Sequence, residues 1–210
     1  MRRPTSMFLA LFALAAAAGT AHAQHAAARH AVRAPSGVVL NAHLSAMPGF
    51  SIGGPDFDTP TEVGLGPAIG AQIGYAIDPR FLIYAGADLG RLGAAAEDPT
   101  NHWSFTMLEV GGRMSFPRAR SRVTPYVTAS VGTRSVKATM TDFGDVKMHG
   151  MALSGGGGIT YQVAPAVAIN AAALVSVGKY SHYQDPEITG SPNLNSTTST
   201  RVQFGLDWRP

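Results

Sequence analysis

Apolar and small polar residues alternate with a period of two in eight separate segments between Gly37 and Trp208. That period belongs to strands whose two faces meet different surroundings. In the first segment Val38, Leu40, Ala42, Leu44 and Ala46 share one face, and Val39, Asn41, His43 and Ser45 share the other. The second sets Ile69, Ala71, Ile73, Tyr75 and Ile77 against Ala68, Gly70, Gln72, Gly74 and Ala76. The third opposes Phe81, Ile83, Ala85, Ala87 and Leu89 to Leu82, Tyr84, Gly86, Asp88 and Gly90. Segments from Thr106 to Phe116, Val123 to Arg134, Met151 to Val163, Val167 to Val177 and Arg201 to Trp208 follow the same rule.

The connections alternate in length. Asp78 to Arg80, Pro117 to Arg122 and Ala164 to Ala166 are short, and each holds a proline, which cannot donate to a ladder. Met47 to Leu65, Arg91 to Ser104, Ser135 to His149 and Lys179 to Thr200 are long and rich in turn-forming residues. All short turns therefore gather at one end of a meander and all long loops at the other. The expected fold is all-β: an eight-stranded antiparallel up-and-down transmembrane β-barrel over residues 37–210.

Alternation alone does not say which solvent the apolar face meets. The second face decides. A soluble barrel would carry many charges on its outer face, yet charged residues make up only 14% of this chain. The second face is mostly Gly, Ala, Ser, Thr, Gln and Asn, with isolated charges at Asp88, Glu109, Arg113, Arg134, Arg201 and Asp207. Small residues suit the interior of eight strands, which side chains just fill. A soluble periplasmic lipid-binding barrel is the alternative, and it places the apolar face inside.

The amino terminus reads as a separate unit. Arg2 and Arg3, the apolar run Met7 to Ala18 and the ending Ala21-His22-Ala23 fit a secretory signal peptide over residues 1–23. A helix over that run would extend only about 18 Å, short of the ~30 Å hydrocarbon core. Residues 24–36 (QHAAARHAVRAPS) show no alternation and read as a periplasmic tether. The pI of 9.4 hints at nucleic acid, but losing Arg2 and Arg3 removes two of the three net positive charges. No basic stripe remains, so no nucleic-acid partner is expected. Zero cysteines exclude a disulfide scaffold and a thiolate zinc site.

The segments LEVGGRMSF (Leu108 to Phe116) and TPYVTASVG (Thr124 to Gly132) resemble the glycine-punctuated strands of the small OmpA-type, porin-like outer-membrane barrels of Gram-negative bacteria. The resemblance covers about Gly37 to Trp208. It implies residence in the outer membrane, contact with its lipid and lipopolysaccharide, and insertion by the barrel assembly machinery. The long loops would then face outward and be free to meet an unknown surface partner. Two departures stand out. The chain ends in Arg209-Pro210 after Trp208 rather than on a terminal aromatic, and no peptidoglycan-binding domain follows the barrel.

The inward charges are the candidate functional residues. An unpaired buried charge is costly, so opposite charges are expected to pair across the lumen. Asp88 is expected near Glu109, with Arg113 one step below. Such a plug could gate a narrow water path, but the tight bore favours simple neutralisation. A nucleophilic site at Ser181 and His182 would point to lipid A modification. The His-x-Ser order of lipid A deacylases is not matched, however, and adjacent strand residues point to opposite faces. Gly155 to Gly158 lacks the Gly-Lys-Ser/Thr of a phosphate cradle, and His25 and His30 read as solvated tether residues. Tyr75, Tyr84, Trp103, Phe116, Tyr161 and Trp208 fall near strand ends, as interfacial aromatic girdles require. No catalysis, cofactor or metal is expected. The role is structural or surface-interacting, with at most a narrow solute pore.

Overall fold

The structure is a computed structural model that describes residues 36–47, 50–52, 61–63, 66–92, 102–140, 144–184, 189–190 and 197–210. Residues 1–23, expected as a signal peptide, and all but the last residue of the expected tether lie outside the described residues. Eight long strands build the barrel: β1 (Gly37–Met47), β4 (Gly66–Ala76), β5 (Phe81–Leu92), β6 (His102–Ser115), β7 (Val123–Met140), β8 (Gly144–Ala164), β9 (Val167–Gln184) and β11 (Thr197–Trp208). Each runs antiparallel to the next, and β11 returns to β1 through pairs from Leu40↔Trp208 to Ala46↔Val202. That pairing closes the barrel and removes its edges. Three short strands, β2 (Phe50–Ile52), β3 (Thr61–Val63) and β10 (Thr189–Gly190), extend the sheet at the loop end.

The parity read from the sequence holds around the barrel. Leu44, Ile69, Ile73, Leu108, Leu153 and Phe204 are all more than half exposed on the outside. Asn41, His43, Ser130, Ser154, Asn170 and Gln203 are buried inside. An apolar exterior around a polar interior inverts the order of a water-soluble domain, and a lipid surround makes it stable. Tyr75, Phe81, Phe116, Tyr161 and Trp208 are exposed close to the short turns, forming an aromatic girdle at that end. Tyr84 and Trp103 do not join it. Both sit on inward positions: Tyr84 is buried beside Thr128 at 3.0 Å, and Trp103 packs half-buried inside the loop end.

One expected loop is mostly ladder. The sequence predicts a connection over Ser135 to His149, but β7 and β8 pair from Ser135↔His149 to Met140↔Gly144. The physical reason is a change of solvent. Ser135 and Lys137 continue the outward positions without apolar character, so the alternation fades while the hydrogen bonding continues.

The Gly155 to Gly158 run shows why parity matters. A Cβ at Gly155 would face outward, with its nearest neighbour the Thr128 carbonyl at 3.9 Å. At Gly156 it would fall on the Ala173 carbonyl and lie 2.8 Å from the Leu174 Cα. Gly155→Ala is therefore expected to stay within about 0.5 kcal/mol of the parent. Gly156→Ala should cost about 1–3 kcal/mol, read by urea denaturation of the refolded barrel. Equal costs at the two neighbours would contradict the assigned faces.

Candidate functional site: a charged layer across the lumen

Inward residues along β1 mark successive levels of the lumen, starting from the turn end. Val39 packs with Ala76 and Leu82 in a small apolar cluster. Asn41 stands at the level of Asp207, and His43 at the level of Asp88. Met47 joins Phe105, Met107, Val136, Met148 and Tyr180 in a second apolar cluster at the loop end. The Asn41 and His43 levels therefore lie between two apolar clusters.

The upper charged level centres on Arg201 of β11. Its Nη1 donates to Asp88 Oδ2 at 2.6 Å, and its Nη2 donates to Glu109 Oε2 at 3.2 Å. Ser130 Oγ also donates to Glu109 Oε2, at 2.9 Å. Asp88 is 0% exposed, and Glu109 and Arg201 are each 3% exposed. At that depth an ion pair is little screened, and losing one partner is costly.

The lower level centres on Asp207. Arg113 Nη1 donates to its Oδ2 at 2.9 Å, while Asn41 and Asn170 amides donate to its Oδ1 at 2.7 and 3.0 Å. The Arg113 guanidinium also stacks 4.4 Å from the centroid of the Tyr126 ring, a cation–π contact strengthened by burial. His43 joins the two levels. Its Nε2 lies 2.8 Å from Asp88 Oδ1 and 3.2 Å from Gln203 Nε2, and its Nδ1 lies 2.7 Å from Asn41 Oδ1. One continuous chain of contacts results: Glu109, Arg201, Asp88, His43, Asn41, Asp207, Arg113.

All six charges expected inside are buried or nearly so. Asp88 and Glu109 are diagonal neighbours, because Asp88↔Met107 and Gly86↔Glu109 are successive same-face pairs of β5 and β6. Their shared cation is Arg201, and Arg113 belongs to Asp207 instead. Arg134 stands apart, hydrogen-bonded to Tyr180 near the loop-end cluster. The polar connectors Asn41, His43, Ser130 and Asn170 were legible only as inward positions. Among the described residues no group of three His, Cys, Asp or Glu side chains could hold a metal ion. The side chains of Ser181 and His182 lie outside the described residues.

Comparisons with known proteins agree with this architecture. The family model described as outer membrane protein beta-barrel domain matches residues 10–209. Neisserial surface protein A has a TM-score of 0.61 at 15% identity, covering 83% of this chain and 98% of that one. The attachment invasion locus protein of Yersinia pestis gives 0.52 at 13% identity, covering 84% of this chain and 100% of that one. At these identities the likeness is one of fold. No curated protein matches the chain.

Proposed function

The chain belongs to the outer membrane protein β-barrel domain family, and from that premise we propose a sealed, non-conducting barrel of the Gram-negative outer membrane. Its role is structural or surface-interacting, carried by the outer face and the long loops rather than by the lumen. One observation carries this reading: the continuous Glu109-to-Arg113 chain of buried contacts spans the bore between apolar clusters at both ends. An ion entering the bore would have to displace charges that are already paired, and would first cross a cluster of Met, Phe and Val side chains. Residues 1–23 act as a cleaved export signal in this reading, and the short turns face the periplasm.

Purified protein in planar bilayers is expected to give no discrete current steps, even where a heat-induced mobility shift proves that the barrel is folded. Reproducible single-channel steps from the folded form would favour the narrow solute path instead.

A further inference from the structure

Barrel closure gathers five arginines at the short-turn end: Arg80 in the β4–β5 turn, Arg118, Arg120 and Arg122 in the β6–β7 turn, and Arg209 after β11. The four turn arginines are exposed and Arg209 is half-buried. Backbone bonds tie the turns to neighbouring strands, Arg80 C=O accepting from Ser115 N–H at 2.7 Å and Arg122 C=O from Gln162 N–H at 2.8 Å. Of the chain's 13 acids only Asp78 shares this end, and its Oδ1 accepts from the Arg80 and Phe81 N–H groups at 2.7 Å each. Asp88, Glu109 and Asp207 are inside the lumen. The other nine fall at positions 56–62, 97–98, 142–145 and 185–187, in the long connections of the opposite end, and none precedes Asp56.

The β6–β7 turn presents its charge at a cost to its own backbone. Ser121 N–H donates to Arg118 C=O at 3.2 Å, and Ser121 Oγ donates to Val123 C=O at 2.9 Å while accepting from Val123 N–H at 3.1 Å, so the turn is ordered. Arg120 has a φ of 63°, the one positive value at a non-glycine position among the described residues. Glycine holds that conformation freely, whereas a residue with a Cβ is strained there. An arginine stands where the turn alone favours glycine, which points to a use outside the fold.

Five like charges that pair with no acidic side chain of the barrel favour a multivalent anion, and the planar guanidinium fork matches carboxylates. Between the arginines the turn offers only Ala119 and Ser121, with no large apolar anchor of the kind that carries affinity for a folded protein. A flexible polyanion held at many points fits better. Ala119 and Arg120 lie three residues beyond Phe116 and Val123 at the strand ends, a reach of up to about 10 Å. That passes a headgroup layer of about 5–8 Å, so the tip meets the aqueous phase rather than lipid. We propose that this end of the barrel docks the peptidoglycan, whose peptide stems carry carboxylates in a repeating array, through Arg118, Arg120 and Arg122. The inference rests on the outer-membrane reading with the short turns toward the periplasm.

The test sediments refolded full-length protein in neutral detergent with purified sacculi. Wild-type protein should pellet with them at low salt and be released as salt rises. R118Q/R120Q/R122Q should bind about 10- to 100-fold more weakly, since each exposed ion pair contributes up to about a factor of five. Arg120→Gly should weaken binding several-fold yet hold or raise stability to urea, a split that a merely structural arginine would not give. K137Q/K147Q/K179Q removes the same charge from the loop-end strands and should bind as wild type does. Sacculi with amidated carboxylates should not retain wild-type protein. No retention of wild type, full binding by the turn variant, equal loss in the lysine variant, or undiminished binding to amidated sacculi overturns the proposal. Tighter retention on phosphatidylglycerol vesicles than on sacculi also overturns it. Labelling of Ala119→Cys on intact cells by a membrane-impermeant maleimide would instead fail the periplasmic orientation itself.

Discussion

Replacing Arg201 with methionine is expected to cost about 3–5 kcal/mol of barrel stability, because two carboxylates stay buried when their shared cation is gone. Arg201 contacts Asp88 and Glu109 together, and all three side chains are almost completely excluded from solvent. Methionine keeps much of the length of the side chain and supplies no charge. Urea titration, followed by the heat-modifiable gel shift, reads the loss. The companion variant Asp88→Asn/Glu109→Gln/Arg201→Met removes the charges together and leaves His43 an acceptor on residue 88. It should recover most of the stability, since replacing a whole buried ionic cluster by neutral groups is often tolerated. If the single substitution is harmless, or the triple variant is no better than the single one, the charges are not coupled as described.

The second large effect is on the other face. Ile73 is 59% exposed near the middle of the apolar belt of β4, flanked by Leu40 and Ala85 on the neighbouring strands. An arginine there must sit at the depth of the acyl chains, which costs about 2–4 kcal/mol at the bilayer midplane. The same substitution on a surface facing water would be nearly neutral. Refolding into lipid vesicles with urea titration separates these outcomes. Unchanged stability in Ile73→Arg would remove the lipid from the argument.

Face assignment was the most legible part of the sequence, because a two-residue period records which side of the sheet meets which solvent. Ile69, Ile73 and Tyr75 read as outward, Gly70, Gln72 and Gly74 as inward, and the structure places them so. Strand ends at the loop side were not legible. Beyond the belt both faces can be polar, so Ser135 and Lys137 look like loop residues although Val136 between them is fully buried. The loop-end cluster is illegible for the same reason, because Phe105, Val136, Met148 and Tyr180 lie where the alternation has faded.

Charge partners were only half legible. Neighbouring strands reveal a diagonal such as Asp88 and Glu109, which share one face of the pleat on successive pairs of β5 and β6. Arg201 reaches them from β11, which pairs with neither β5 nor β6. That contact depends on barrel closure and stagger, which no single segment encodes. For the same reason the sequence puts Arg113 one step below that pair but does not show that the closed barrel brings Asp207 to it.

The central claim is a lipid-facing apolar exterior around a sealed lumen, and single cysteines along β9 test both halves at once. The chain has no native cysteine, and Ala171, Ala172 and Ala173 offer near-isosteric sites on alternate faces. Nitroxides at Ala171→Cys and Ala173→Cys should collide with oxygen dissolved in the bilayer and not with a water-soluble nickel chelate. Ala172→Cys should resist a small water-soluble thiol reagent until urea unfolds the barrel. Nickel access at position 171 or 173, or rapid thiol labelling at position 172 in the folded state, would contradict the account.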